Sequence, residues 1–316
     1  MLSVLLIWVA GAWVLGQIAR WVGLPPLVGY LLAGALFAAV GLGDAEGWLK
    51  TPAAIGVELL LFAIGLKMSP RSLLRADVAT GTVLHLLVSA TIISLALTQD
   101  LSTEMKWALA ITLGFSSTVV AAKGLEARRE IRAFHGRLSI SILVLQDVVA
   151  VGLLALGGDT QPSPWALLLL AIPVIAPGAR WLLSRLSLEP ELQLLAGLLI
   201  ALVLGAELFK ALGVSGELGA LVMGMVFANH PAAKQMATQI WGLRELLLIA
   251  FFLTVGMQVP LDWSVLKDAW WLLALLPVKL TVLFALLLWI RLRAYTAFLM
   301  TMTLFSYSEF ALIVSA

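Results

Sequence analysis

The sequence predicts an all-α polytopic membrane protein, and three observations support that class. The 316 residues are 62% hydrophobic and 12% charged, whereas soluble domains are usually about 45–50% apolar and about 25% charged. The mean hydropathy is +1.05. Apolar blocks long enough to cross a hydrocarbon core of about 30 Å as helices recur along the whole chain. Cysteine is absent, which excludes disulfides and thiol chemistry.

Twelve apolar blocks define the predicted spans. They lie at about 2–19, 24–42, 52–66, 78–98, 106–122, 138–157, 165–183, 191–209, 213–229, 245–258, 269–290 and 295–316. The first block lacks a cleavage site of small residues and ends in Gln17 and Arg20, so we interpret it as a retained span. The last block reaches Ala316 without a polar cap, a flanking cation or a turn residue. This predicts that a thirteenth span follows.

Lys and Arg concentrate in alternate connections between the spans. Fifteen cations lie where the chain enters even-numbered spans, against four in the other connections and Lys279 inside a span. The fifteen are Arg20, Lys67, Arg71, Arg75, Lys123, Arg128, Arg129, Arg132, Arg137, Arg180, Arg185, Lys234, Arg244, Arg291 and Arg293. Because short cytoplasmic connections are enriched in Lys and Arg, the N-terminus is predicted to lie outside.

Two matches at nearly the same offset predict an internal repeat. The run from Glu58, ELLLFAIGLKMSPRSLL, resembles the run from Glu245, ELLLIAFFLTVGMQVPLDWSVL, with Gly65 aligned to Gly256. GFSST at 114–118 aligns with LFSYS at 304–308. This offset aligns a span that crosses the membrane in one direction with a span that crosses it in the opposite direction. The repeat would therefore be inverted, as in many secondary transporters.

Ionisable residues in the middle of spans are the first candidates for a functional site. Each costs at least about 2.5–3.5 kcal/mol near the bilayer centre, so its retention favours a function. Asp147 stands beside Gln146 in the aliphatic run ILVLQDVVAV, and Lys279 is the only deep residue of opposite sign. The alternative is a static ion pair that fixes helix packing, with Gln146 bonding between helices. Glu309 follows a second polar cluster.

Clusters of hydroxyl residues give the second group of candidates. GFSSTVVAAKG holds Ser116, Ser117 and Thr118 in mid-span, and Ser306 and Ser308 lie at the repeat-related place. If the helices unwind there, hydroxyl and freed carbonyl oxygens face protein or a water-filled cavity and suit small hard cations. The alternative is that these hydroxyls bond back to their own helix or line a small-residue packing face.

Two further residues keep two interpretations each. Glu58 is either an ion-site carboxylate or a partner of a neighbouring helix near the membrane edge. His85 is either a proton carrier or, more commonly for such a residue, a packed and hydrogen-bonded histidine. The sequence contains no HExxH, P-loop or GxSxG motif, and its three histidines lack metal-ligand spacing. We therefore expect neither an enzyme nor a metal site or cofactor, and no nucleic-acid partner.

Seven segments together carry a family resemblance that covers essentially the whole chain. They are LPPLVGYLLAG (24–34), LLLFAIGLKMSPRSL (59–73), GFSSTVVAAKGLEAR (114–128), HGRLSISILVLQDVVAV (135–151), ELLLIAFFLTVGM (245–257), PVKLTVLFALLLWIRLRAYTAF (277–298) and YSEFALIV (307–314). In this order they resemble the membrane domain of Kef-type monovalent cation:proton antiporters. The resemblance implies the NhaA-like fold of thirteen helices, with two inverted repeats and two unwound crossing helices. It also implies core helices at about 78–157 and 269–316, and dimerisation helices at about 1–66 and 165–258.

The resemblance also assigns roles to individual residues. Gln146 and Asp147 match the QD motif of the sixth helix, and residues 116–118 match the first unwound segment. Lys279 matches the lysine that faces the ion-site aspartate, and Glu309 matches the glutamate of the second broken helix. The chain departs from the pattern at 307–308, where Tyr and Ser replace the glycine of many members. The extent to which the second broken helix unwinds depends on these two residues.

The expected function is a secondary-active antiporter that exchanges K+ or Na+ for H+ across a bacterial-type inner membrane. Asp147 would take either the cation or the proton, and the exchange would be electroneutral because only an uncharged Gln stands beside it. A homodimer is expected, as is a cytoplasmic nucleotide-binding regulatory domain or subunit, which these 316 residues do not contain. The alternatives are a ligand-gated K+ efflux channel, a sodium-coupled symporter for an organic anion on the related fold, and a non-transporting membrane scaffold.

Overall fold

All regular structure in the part of the chain that is described is helical. The computed structural model describes residues 2–44, 46–68, 75–96, 102–157, 163–185, 189–228, 230–259 and 263–306. The α-helices are α1 (Leu2–Trp21), α2 (Pro26–Ala39), α3 (Lys50–Gly65), α4 (Ala76–Ala96), α5 (Thr103–Gly114), α6 (Thr118–Ala127), α7 (Phe134–Gly157), α8 (Ile172–Arg185), α9 (Pro190–Leu198), α10 (Leu208–Ala211), α11 (Gly216–Phe227), α12 (Ala233–Met257), α13 (Trp263–Trp289) and α14 (Ala294–Leu304).

These helices form twelve rods within the described residues, one for each predicted span. A 3-10 segment, Pro164–Ala171, leads into α8, and a π-helical stretch, Leu199–Glu207, joins α9 to α10. The helices α5 and α6 form one interrupted rod. Five of the rods are long and apolar enough to cross a membrane. They are Val4–Trp21, Ala76–Ala96, Pro164–Arg185, Glu191–Ala211 and Ala233–Met257. The all-α polytopic fold class is confirmed.

The predicted start of the tenth span differs most from the structure. The tenth span was expected to start at Glu245, with Lys234 and Arg244 in the preceding connection, but α12 begins at Ala233. Polar residues in this first half of α12 reduce its hydropathy without reducing its helix propensity, because Lys, Gln and Arg are good helix formers. Arg244 is only 1% exposed in the structure. A hydropathy pattern does not detect a buried cation that has partners elsewhere in the fold.

The buried side chains sort the rods into two packed groups with a shared seam. One cluster joins α3, α8, α11 and α12 around Phe62 and Met236. Another joins α4, α6, α7, α13 and α14 around Leu143 and Met300. A third cluster, which includes Val119, lies where α6 and α7 meet α3, α11 and α12. The first two clusters contain different helices. The boundaries of a core domain and a dimerisation domain stay a prediction.

Two close helix crossings depend on glycine and repeat the predicted offset. Helices α3 and α11 cross at Gly65 and Gly224, and α2 and α12 cross at Gly34 and Gly256. A Cβ atom added at Gly65 or Gly256 would lie 2.3 or 2.1 Å from a carbonyl oxygen of the facing helix. The two offsets of the sequence repeat, 191 and 190 residues, carry Gly65 onto Gly256 and Gly34 onto Gly224, respectively. The same contact is therefore made twice, which supports the inverted repeat.

The predicted interruption of the fifth span is observed. Helix α5 ends at Gly114, and α6 begins at Thr118, after three residues without helical structure. Ser117 caps α6, because its backbone is extended and its Oγ accepts a hydrogen bond from the Val120 amide at 3.3 Å. Helix α14 ends at Leu304, which is the repeat-related position of Gly114. The continuation beyond Ser306 is outside the described residues.

Candidate ion site at the interrupted helices

The carboxylate of Asp147 on α7 lies against the first residue of α6. The hydroxyl of Thr118 donates a hydrogen bond to Asp147 Oδ2 at 2.9 Å. The start of a helix carries unpaired amide groups and the positive end of the helix dipole, and both favour a negative charge. The interruption between α5 and α6 thus creates a helix N-terminus where a carboxylate is stabilised inside the protein.

Gln146 connects the interruption to α4. Its Oε1 accepts a hydrogen bond from the Ser116 amide at 3.3 Å. Its Nε2 lies 2.7 Å from His85 Nδ1. Both Gln146 and His85 are completely buried. The amide of Gln146 therefore satisfies one backbone group that the unwound segment would otherwise leave unpaired.

The two helix ends meet at this place. The Ser116 hydroxyl, in the first interruption, donates to the carbonyl oxygen of Leu304 at 2.6 Å. Leu304 is the last residue of α14. Two polar clusters at repeat-related places in the sequence, around Ser116 and Ser306, are thus brought together, as the repeat predicted.

A cavity of about 710 Å³ opens between α2, α6, α12 and α14. Its mouth includes Arg128 and Glu130, on the predicted cytoplasmic face, and its inner part reaches Val120 and Ser306. The Ser306 hydroxyl is buried and has no hydrogen-bond partner among the described residues. The cavity therefore approaches the start of α6 and the end of α14 from the predicted cytoplasmic face.

A cluster of charged residues links α6 to α12, and three of its members, Lys123, Glu126 and Glu245, line this cavity. Lys123 bonds to Glu245, and Arg244 contacts Glu126 at 3.0 Å and Glu245 at 2.7 Å. Lys67, just after α3, lies 3.6 Å from Glu126. Burial lowers the pKa of the Lys67 ammonium. The negative charge of Glu126 opposes this shift, and the positive charge of Arg244 adds to it. We call these five residues the mouth cluster. It holds the two packed groups of helices together at the predicted cytoplasmic face.

The sequence interpretation missed the mouth cluster because its members are distant along the chain. Arg244 and Glu126 are 118 residues apart. A local signal was nevertheless present, since Lys123 and Glu126 share one face of α6 at a spacing of three residues. The adjacent pair of Arg244 and Glu245 before an apolar run was the corresponding signal on α12.

The remaining candidate residues lie in different surroundings. Lys279 on α13 is 2% exposed and close enough to His85 to interact electrostatically. Ser117 faces its own helix as a cap. Glu58 is buried and bonds Lys210 at 2.8 Å, and it is not among the residues that meet at the interruption. Ser308 and Glu309 lie outside the described residues.

An interrupted helix, α5 and α6, meets the end of α14 beside a half-buried carboxylate, and a cavity leads to this place from one side. This arrangement is typical of a secondary transporter. A family model described as "Sodium/hydrogen exchanger, transmembrane" matches residues 4–316. The chain therefore belongs to the sodium/hydrogen exchanger family. Members of this family are transporters and not enzymes.

Individual relatives agree with this assignment. The chain is 31% identical over 276 residues to the glutathione-regulated potassium-efflux system protein KefC of Klebsiella pneumoniae (strain 342), covering 80% of this chain and 44% of that protein. It is equally similar, over 277 residues, to KefC of Salmonella newport (strain SL254). The chain thus spans less than half the length of these relatives. The resemblance to a Kef-type membrane domain is confirmed.

A solved structure shows the same fold. The sodium proton antiporter MjNhaP1 from Methanocaldococcus jannaschii at pH 8 superposes with a TM-score of 0.63 at 14% sequence identity. The alignment covers 93% of this chain and 80% of that chain. At this identity the likeness concerns the fold alone.

Proposed function

We propose that the chain exchanges a monovalent cation, K+ or Na+, for a proton at Asp147. The observation that carries this proposal is the hydrogen bond from Thr118 to Asp147 at the start of α6. A hydroxyl donor and a helix N-terminus stabilise the ionised carboxylate without neutralising it. Such a carboxylate attracts either a cation or a proton, and the two compete for it.

The oxygens beside Asp147 would complete the cation shell. The Thr118 hydroxyl already touches the carboxylate, and a hydroxyl oxygen accepts a cation while its hydrogen donates elsewhere. The Ser306 hydroxyl, which has no bond among the described residues, is a further oxygen near the interruption. Gln146 and Ser116 contribute less directly, because each already bonds across the interruption. Ser117 acts through its cap of α6.

Alternating access would come from movement of one helix group past the other. The cavity in this structure supports access from the predicted cytoplasmic face, and the apolar seam and the mouth cluster are the contacts that must change. We propose that Lys279 keeps its positive charge throughout the cycle and pairs with Asp147 when no cation is bound. We assign Glu309 a gating role. One cation would then exchange for one proton, and the exchange would be electroneutral.

The relatives guide the rest of the proposal. Their names describe potassium efflux regulated by glutathione, so K+ is the first cation to test. We also propose a bacterial-type inner membrane with the N-terminus outside, a homodimer, and a cytoplasmic regulatory domain or subunit as a partner.

Proteoliposomes that contain a pH-sensitive dye test the proposal. Addition of K+ or Na+ should drive proton movement in the wild type and not in Asp147→Asn, which is nearly isosteric. Glu191→Gln, an exposed carboxylate on α9, is the matched control and should behave as the wild type. Normal cation-dependent proton flux in Asp147→Asn would overturn the site, and cation current without proton movement would indicate a channel.

An imposed membrane potential tests the stoichiometry. Without initial ion gradients, a one-for-one exchanger should show no net proton movement driven by voltage. Cation-dependent proton movement that follows the potential, and that disappears in Lys279→Gln, would instead identify the lysine as a second proton carrier.

A further inference from the structure

His85 on α4 contacts the segment between α5 and α6. Its ring is completely buried. Nδ1 lies 2.7 Å from Gln146 Nε2, and Nε2 lies 3.4 Å from the Ser116 hydroxyl. The ring therefore lies behind the candidate site, in contact with α7 and with the first interruption.

The protonation of this ring follows from one backbone group. The amide of Ser116 can only donate, so the Gln146 atom that faces it must be the carbonyl Oε1. The other atom of that side chain, which faces His85, is then the NH2 group, which also only donates. His85 Nδ1 must therefore accept and carry no proton. In a neutral ring the single proton is on Nε2.

The next hydrogen bond agrees with this assignment. The Ser116 hydroxyl uses its proton to bond the Leu304 carbonyl at 2.6 Å, so it presents a lone pair to His85 Nε2–H. The donors then point in one direction from Gln146 through His85 and Ser116 to Leu304. This chain joins α7, α4, the first interruption and the end of α14.

We propose that His85 is a positioning residue whose neutral ring fixes the orientation of the Gln146 amide and holds the break between α5 and α6 in register with the end of α14. This inference rests on the proposed exchange at Asp147, and it gives His85 no part in carrying protons. A proton added to Nδ1 would place two donors face to face. If Gln146 turned its amide to avoid this, its NH2 group would face the Ser116 amide, which is also a donor.

The charged surroundings of His85 support a ring that stays neutral. Helices α5, α7 and α13 pack against α4. Among the described residues, α7 contributes Asp147 and α13 contributes Lys279, whose ammonium interacts electrostatically with the ring. The titratable residues of α5 lie in its first two turns, whereas its end at Gly114 adjoins the site. A second cation at His85 would be repelled by Lys279.

Two substitutions separate the positioning role from a general effect on packing. His85→Asn offers an oxygen where Nδ1 stood, so it still accepts from Gln146, whereas His85→Leu leaves that NH2 group without a partner. In proteoliposomes, His85→Leu should raise the apparent KM for the cation about tenfold or more, with a smaller change in maximal rate. His85→Asn should restore most of the affinity and keep the pH profile and the proton-to-cation ratio of the wild type.

Nitrogen-15 NMR of the wild-type protein, with labelled histidine, tests the tautomer directly. There are three histidines in the chain, and the signal that disappears in His85→Asn identifies His85. We expect an unprotonated Nδ1 and a protonated Nε2 across the pH range of exchange. A doubly protonated ring or the opposite tautomer would overturn the proposal, even if His85→Leu failed to fold.

The outcomes also distinguish this inference from the proposed function. Absence of cation-dependent proton flux in the wild type would remove the function, while the NMR result would still decide the tautomer. If Asp147→Asn is inactive but His85→Leu retains the wild-type KM and rate, the function stands and the positioning role fails. A change of proton-to-cation ratio in His85→Asn would identify His85 as a proton carrier and also overturn the proposal.

Discussion

Replacement of Thr118 by Val removes one hydroxyl from the candidate site with little change of shape. Thr118 is the first residue of α6, and its hydroxyl donates to Asp147 Oδ2 at 2.9 Å. The cap of α6 by Ser117 does not depend on this hydroxyl. The substitution therefore alters the environment of the carboxylate while the helix start is retained.

The magnitude follows from the charge of the acceptor. A hydrogen bond to a charged group contributes about 1.5–3 kcal/mol, and about 1.4 kcal/mol corresponds to a tenfold change in an equilibrium constant. The bond favours the ionised carboxylate, which is the form that binds a cation, over the protonated form. The apparent KM for the cation at fixed pH should thus rise about 10- to 100-fold, with little change in the rate at saturating cation.

Two controls make this measurement specific. Thr301 is also buried, but its hydroxyl bonds the Ala297 carbonyl of its own helix, so Thr301→Val should leave the KM unchanged. Ser117→Ala should lower stability by about 0.5–2 kcal/mol through the lost cap, with a smaller effect on the KM than Thr118→Val. If Thr118→Val stays within about twofold of the wild type, or if Thr301→Val has an equal effect, the assignment of the site is refuted.

Two further predictions concern helix contacts. Gly256→Ala should lower the melting temperature measured by tryptophan fluorescence, since its Cβ would lie 2.1 Å from a carbonyl of α2. Gly242→Ala on the same helix meets nothing within 4 Å and should be neutral or stabilising; equal effects would contradict the crossing. A bifunctional methanethiosulfonate that links Lys123→Cys to Glu245→Cys through disulfides should stop exchange, and a reducing agent should restore it, because the proposed alternating access moves α6 past α12. Each single variant should remain active, and undiminished exchange in the linked protein would exclude that movement.

The helices and the first interruption could be predicted because their causes are local in sequence. Apolar blocks predict the rods, and Gly114 followed by three hydroxyl residues predicts the break. The start of α12 could not be predicted in the same way. Its early residues are tolerated because Arg244 is paired with Glu126, and that pairing depends on how α6 packs against α12.

The candidate site was predicted as a set of residues but not as a set of contacts. Ser117 and Thr118 are adjacent hydroxyl residues, yet one caps α6 and the other bonds Asp147. The difference arises because the backbone enters the helix between them. His85 could be predicted as a candidate but its contacts could not, since its partners Ser116 and Gln146 lie 31 and 61 residues away.

The inverted repeat predicts equivalent hydrogen bonds at the ends of α5 and α14, but the two ends differ in this structure. In the alignment of the two repeats, Ser116 corresponds to Ser306 and Leu304 corresponds to Gly114. Full symmetry would therefore place a bond from the Ser306 hydroxyl to the Gly114 carbonyl beside the bond from Ser116 to Leu304. Only the bond from Ser116 is made, and the Ser306 hydroxyl has no partner within the described residues, where the cavity reaches it. If the proposed alternating access exchanges the conformations of the two repeats, we expect the bond from Ser306 to form in the opposite-facing state, with Ser116 released.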